Sequence, residues 1–346
     1  MRGVFQGILA AILLGLSSCG LPSNPVTPPE ILVTGETGVS GGEAKGVSIP
    51  FSGTPAPLST HAIPTGLSLW GSAVADNSLV LLARTTSGQG RFLVAPVPLS
   101  GAPPFVSVAF PSGMGTPWAL TQVTPQVLAV LMTTSGSPGG CIALFDTATL
   151  VQMTGGGTLS PESSCQPING TSGPLAGGFL LPLADGVMFL AGVVTGSGSG
   201  ATTTLFLMTQ KNVLSGNPLA VSSSWTLPVS YGANVPLSGA ALPEAVLLPD
   251  PSSPAALDLY SVSALEGGGG GSLSPLSTTP LHLSSPPTLL AIDPAQNFLL
   301  AGSGGEISLF GLNAVLNPGG RLDPLGTIGS LPGESFETLT IYTGSS

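Results

Sequence analysis

One pattern recurs along the chain and limits the folds open to it: an apolar run, a turn of Gly, Ser and Thr, then a second apolar run. It appears in LLARTTSGQGRFLVAPVPLSG (81–101), LAVLMTTSGSPGGCIALFDTATL (128–150) and FLAGVVTGSGSGATTTLFLMTQ (189–210). ILVTGETGVSGGEAKGVSIPF (31–51) and FLLAGSGGEISLFGLN (298–313) share the form, and AVLLPDPSSPAALDLYSVSAL (245–265) is a degraded copy. The second run of each can be anchored at Val47, Leu93, Ile142, Leu205, Leu257 and Ile307, with successive gaps of 46, 49, 63, 52 and 50 residues. Hairpins at a period near 50 are the signature of a β-propeller built from four-stranded blades. A pair of β-sandwiches or a β-solenoid would use similar hairpins.

Most hairpins follow another short apolar segment, such as SLWGSAVA (68–75), WALTQV (118–123), GGFLLPL (177–183) or TLLAID (288–293). Variable fourth segments follow, PFVSVAF (104–110) and GRLDPLGTI (320–328) among them. The first hairpin has no preceding strand, while FETLTIYTG (336–344) is a strand without a hairpin. If the last strand completes the first blade, the ring closes and no sheet edge stays open. The expected fold is therefore all-β, a propeller of about six four-stranded blades over residues 30–346, closed by its C-terminal strand. Composition agrees, since 50 Gly and 35 Pro supply turns while 42% of residues remain apolar. That combination is the reverse of a disordered chain.

The segment before residue 30 reads as an address. MRG carries the starting charge and VFQGILAAILLGL adds 13 mostly apolar residues, too few for a bilayer span but right for a signal-peptide core. Leu16-Ser17-Ser18-Cys19 resembles the bacterial lipobox, which implies cleavage of residues 1–18 and acylation of Cys19. Stable anchoring needs more than one acyl chain. GLPSNPVTPP then suits an extended, semi-rigid tether over 19–29. Gly20 at the second position is not the Asp that retains many lipoproteins at an inner membrane, so an outer membrane is the expected destination where the cell has one. The alternative is an ordinary secretory signal whose cleavage site happens to precede a cysteine.

Two cysteines remain, Cys141 and Cys165. An exported compartment permits disulfides, and an even pair without zinc-like spacing favours a bridge over a metal site. Two buried free thiols are the other reading.

TLLAIDPAQNFLLAGSGGEISLFGLNAVLNPGGRLDPLGTI carries a family resemblance. It contains Asp293-Pro294, Phe298-Leu299, Ile307 to Phe310, and Gly320 to Leu325. In that order these residues resemble one repeat of the lactonase-type propellers, over about 40 residues, with only a general likeness elsewhere. The resemblance implies a propeller; because those proteins usually have seven blades, it also makes seven an alternative count. It implies a catalytic site of several charged groups around the axis, none of which can be carried over position by position.

Chemistry is sparse. The net charge is −10, from 16 acidic and 6 basic residues. Arg2, Lys45, Arg84, Arg91, Lys211 and Arg321 are dispersed, so no phosphate-binding surface is expected and nucleic acid is excluded as a partner. His61 and His282, in LSTHAIPTG and TPLHLSSPP, read as surface or packing residues in the links between blades one and two and blades five and six. Asp76, Asp146, Asp185, Asp250 and Asp293 occupy turn positions, where Asp hydrogen-bonds nearby backbone. Glu334 and Glu337 could line a channel mouth, although exposure on a loop is the simpler reading. EGGGGGSLS (266–274) is low-complexity loop. There is no metalloprotease, nucleophile-elbow, phosphate-loop or EF-hand motif, and no cofactor, metal or catalytic residue is assigned.

The expected role is a membrane-anchored, non-enzymatic module of the bacterial cell envelope. It would be attached to the lipid bilayer through Cys19 and bind an envelope protein or glycan. One alternative is a lactonase-like hydrolase of a sugar lactone or related small molecule, for which His61, His282 and Arg321 would have to converge at the axis. Another is a polysaccharide binder exposing Trp70, Trp118 or Trp225 in a groove, although Trp70 and Trp118 fall on inner strands where core packing is the simpler reading.

Overall fold

The structure, a computed structural model, describes residues 30–37, 41–48, 56–97, 99 and 102, and from 104 to 342 all but 134–138, 172, 185, 197–199, 216–218, 234–235, 254, 269–272, 318–320 and 330–334. The signal segment, Cys19, the tether, Asp185, Glu334 and part of the glycine run lie outside the described residues.

Across the described residues the chain folds as six sheets whose strands pair antiparallel, apart from one short parallel pairing in sheet 2. Sheet 1 holds β1 (Glu30–Thr37), β2 (Gly41–Ser48) and β3 (Ala56–Ile63). Sheet 2 holds β4 (Leu67–Ala75), β5 (Ser78–Thr85), β6 (Gly90–Pro96) and β7 (Val106–Ala109). Sheet 3 starts with β8 (Pro117–Thr124), β9 (Val127–Thr133) and β10 (Gly140–Asp146). The chain then makes β11 (Gly157–Thr158), which joins sheet 2, and β12 (Gln166–Pro167), which completes sheet 3. Sheet 4 is β13 (Leu175–Pro182), β14 (Met188–Thr195), β15 (Thr202–Thr209) and β16 (Val221–Thr226). Sheet 5 is β17 (Ala240–Ala241), β18 (Ala245–Pro249), β19 (Ala256–Ser261) and β20 (Ser277–Pro280). Sheet 6 is β21 (Leu289–Ile292), β22 (Phe298–Ser303), β23 (Glu306–Gly311) and β24 (Gly326–Gly329). The C-terminal strand, β25 (Ser335–Tyr342), returns to pair antiparallel with β1 and gives sheet 1 its fourth strand.

This is an all-β propeller with four-stranded blades. The expected six or seven blades of four strands are corrected: five sheets have that form, and sheet 2 has five strands. The reason is the long link after β10, which also produces the 63-residue gap between anchors. In it, Gly157 and Thr158 pair parallel with Val108 and Ala109 of β7. Cys141 and Cys165 are joined by a disulfide with a Cα–Cα distance of 5.5 Å, tying this link back to β10.

The apolar runs follow from blade stacking. The second strand of a blade is covered on both faces, so β5 is buried at its first six positions and β14 at six consecutive positions. Strands covered on both faces read as continuous Val and Leu rather than as alternation. Outer strands such as β24 and β20 are half exposed. Separate apolar clusters fill the spaces between successive sheets. One holds Phe92, Phe110 and Phe145 with ring centroids 4.8–5.0 Å apart, and another joins Leu300 and Leu309 of sheet 6 to Phe336 and Leu339 of β25.

Short helices, which the sequence reading did not foresee, follow the third strand of four successive sheets. They are α1 (Thr147–Gln152), α2 (Gln210–Leu214), α3 (Val262–Glu266) and α4 (Leu312–Leu316). Asp146 caps the first by accepting from Thr149 N at 2.6 Å. With one turn each, they are too short to leave a helical period in the sequence.

Candidate functional site

Every sheet sends residues from its inner strand, or from the loop just before it, to one axial cavity of about 50 Å³. Leu120, Leu180, Leu289 and Leu339 narrow it, while Ser72, Ser238, Thr338 and Glu337 add polar groups. The backbones approach closely here. A Cβ built on Gly71 would lie 2.7 Å from Leu120 N and 2.8 Å from Leu120 Cβ.

Four inner strands carry a β-bulge near their starts. The register skips Glu337 in β25, Trp70 in β4, Trp118 in β8 and Ala176 in β13. A bulge inserts an unpaired residue and re-aims its side chain. On neighbouring inner strands the repeated bulge gathers Glu337, Trp70 and Trp118 into one cluster.

Arg84, on β5 opposite Ser68 of β4, completes it. Its guanidinium carbon lies 3.8 Å from the centroid of the Trp70 ring and 4.6 Å from that of Trp118, and the two indoles meet edge to face at 5.0 Å. Cation–π contacts of this kind hold a guanidinium over aromatic faces. Burial pushes the Arg84 group down to about 10, and the Glu337 carboxylate opposes that shift. Arg84 is therefore cationic at neutral pH. Glu337 Oε2 accepts from Leu69 N at 2.7 Å, joining sheet 1 to sheet 2. Trp70 Nε1 donates to Ser68 Oγ at 2.9 Å. Trp118 Nε1 and Ser72 Oγ are buried without a hydrogen-bond partner among the described residues.

The residues singled out from sequence fare differently. Glu337 is corrected from an exposed loop position to a partly buried, bulged strand residue beside the axis. His61 sits on β3 rather than in a link, with Nε2 2.6 Å from Leu99 O and its ring edge-on to Phe105. His282 follows β20, its Nδ1 2.6 Å from Asp323 Oδ1, a carboxylate supplied by the link before β24 of sheet 6 that the local sequence concealed. Arg321 is exposed near that pair. None of His61, His282 and Arg321 lines the axial cavity. Trp70, Trp118 and Trp225 are buried at 6%, 6% and 4% exposure, so none of them offers an open stacking face in a groove. Asp250 accepts from Ser252 N at 2.7 Å and Asp293 accepts from Asn297 N at 2.7 Å, both as turn residues.

Asp258, on β19, was not singled out. It is buried under Tyr260 and Thr278, whose hydroxyls donate to its carboxylate at 3.2 and 2.8 Å, beside a cavity of about 180 Å³. Burial pushes its carboxyl up, against the lowering pull of those hydroxyls. Its place in LDLYS, an ordinary apolar–polar alternation, gave no signal. Among the described residues no three His, Cys, Asp or Glu side chains are placed to hold a metal ion, and no helix is long and apolar enough to cross a membrane.

No protein-family pattern matches the chain, and no curated protein sequence matches it. Solved structures do. The periplasmic gluconolactonase PpgL of Pseudomonas aeruginosa superposes with a TM-score of 0.50 at 15% identity, over 87% of this chain and 80% of that one. A Bacteroides fragilis NCTC 9343 protein assigned as a 6-phosphogluconolactonase gives 0.48 at 12% identity, over 92% and 99%. Both of these neighbours of the chain are lactonase-type β-propellers. At these identities the likeness is one of fold, and activity has to be argued from the site.

Proposed function

We propose that this chain is an envelope lipoprotein, anchored through acylated Cys19, whose six sheets form a closed ring with a lactonase-like site on its axis. The observation that carries this reading is the gathering of Glu337, Trp70 and Trp118 by bulges on neighbouring inner strands, with Arg84 of β5 held against both indoles. The substrate would be a small hydroxylated lactone. Glu337 serves as the general base that takes a proton from water as the hydroxyl oxygen bonds to the lactone carbonyl carbon. Arg84, held over the two indoles, is the donor for the oxyanion that forms, and a preorganised donor of this kind is a large catalytic term. Collapse breaks the ring C–O bond, and the proton held by Glu337 passes to the ring oxygen. The product is the open-chain hydroxy acid.

The test uses purified protein carrying Cys19→Ala and a panel of δ- and γ-lactones, with ring opening followed as acid release. Wild type should accelerate opening of at least one lactone, and Glu337→Gln should lower kcat by about 10²–10⁴, the usual contribution of a positioned general base. Failure of every lactone to open faster than in buffer would overturn the reading.

A second reading, binding without turnover, is favoured by the narrowness of the axis, since about 50 Å³ does not admit a sugar ring. A substrate would then have to react at the mouth. Co-purification of an envelope protein or glycan with the anchored form, and no lactone turnover, would favour this second role.

A further inference from the structure

Ser72 lies two residues after the Trp70 bulge and lines the axial cavity together with Glu337. Its hydroxyl is buried and has no hydrogen-bond partner among the described residues. Such an orphan is uncommon, because buried polar groups are nearly always satisfied by protein or by ordered water. A cavity of about 50 Å³ exceeds the roughly 10–15 Å³ that one water needs. Polar partners are at hand too. The cavity wall includes Glu337, whose Oε2 accepts from Leu69 N, and the Ser238 and Thr338 residues. Ser238, by contrast, is already committed, its hydroxyl donating to Leu290 O at 3.2 Å and accepting from Leu290 N at 2.8 Å.

We infer that the axial cavity is a built water site, with Ser72 Oγ and Glu337 holding an ordered water, and that this water is the nucleophile delivered to a substrate at the mouth. Ser72 is then a positioning residue, acting through the water rather than on the substrate. The inference rests on the hydrolase reading for its catalytic half only. The leucines that exclude a sugar ring from the axis are, on this view, what restricts the cavity to water.

The experiment pairs a crystal structure at water-resolving quality with steady-state kinetics of wild type, Ser72→Ala and Ser72→Val, all in the Cys19→Ala chain, with thermal melts as the folding control. Wild type should show water density within hydrogen-bond distance of Ser72 Oγ. Ser72→Val, which fills the space, should remove that density and lower kcat by about tenfold to a hundredfold with KM unchanged, the size expected for misplacing a reactant. Ser72→Ala, which keeps the space, should lose less. Absence of wild-type density overturns the site. Density together with wild-type kcat in Ser72→Val overturns the role of the water. If the density is present but no lactone is opened, the hydrolase reading has failed, the catalytic half falls with it, and the water site alone stands.

Discussion

Removal of the Cys141–Cys165 bridge gives the sharpest quantitative expectation. The two residues are 24 apart in sequence, and the bridge closes the link that carries α1 and β11, ending just before β12. Treating the stabilisation as loop-closure entropy withheld from the unfolded chain gives about 3.4 kcal/mol for a loop of this length. Replacing both cysteines by alanine introduces no polar atom, and truncating the fully buried Cys141 adds a smaller packing cost in the same direction. In a chain of this size that loss corresponds to a fall in Tm of roughly 5 to 10 °C. There is also a local consequence. β12 is held to β10 by two paired residues, Cys141 with Pro167 and Ile142 with Gln166, so residues 153–167 should open before the rest. The assay is calorimetry of Cys141→Ala/Cys165→Ala against its parent, both carrying Cys19→Ala so that no third thiol confuses the count. Hydrogen exchange then reads the link directly. An unchanged Tm would refute the entropy argument. A full Tm loss without faster exchange in 153–167 would place the stabilisation somewhere other than this link.

Three further outcomes follow from single contacts. Gly71→Ala puts a methyl 2.7 Å from the Leu120 backbone nitrogen, which cannot rotate away, and should cost about 1–3 kcal/mol by urea unfolding; an unchanged midpoint would mean that the inner strands are not packed this closely. Asp258→Asn tests burial of a charge. With the folded carboxyl raised above its unfolded value, the native state holds a proton that the unfolded state has released, so stability falls as pH rises through that window. The variant should lose this fall, and Tm profiles from acid to neutral pH that superpose for both proteins would contradict it. Asp293→Ala strips the acceptor from Asn297 N and Phe298 N, at 2.7 and 2.5 Å, under a residue 3% exposed. A loss of about 1–3 kcal/mol for each stranded donor is expected in chemical denaturation.

The blades were readable in the sequence for a physical reason. Stacked sheets bury both faces of their second strands, and SLVLLART, VLAVLMT and FLLAGS record that as unbroken apolar runs. The Asp-Pro turn at Asp293 was readable too, since its side chain serves its own loop. Features made by register were not. The parallel pairing of Gly157–Thr158 with Val108–Ala109 left only an over-long gap between hairpins, with no hint that β11 would cross to the preceding sheet. The bulges that turn Trp70, Trp118 and Glu337 toward one another are one-residue slips in hydrogen bonding, and each strand reads the same with or without them.

The axial cluster also depends on how the chain ends. Glu337 meets Leu69 across 268 residues, and it does so only because β25 returns to pair with β1 instead of extending sheet 6. Before that pairing forms, Arg84 has its aromatic contacts but no carboxylate, and the inner-edge N–H of Leu69 has no acceptor from sheet 1. Loop-closure entropy makes so distant a contact late to form. The groups proposed to do the chemistry are thus assembled by the same event that completes the first sheet, so a chain without β25 would lack both a stable first blade and its general base. The histidines, read from the sequence as surface or packing residues, are each satisfied within outer strands and links. In this fold the polar groups that converge are those on inner strands, and a lone glutamate near the C terminus carries more chemical weight than either imidazole.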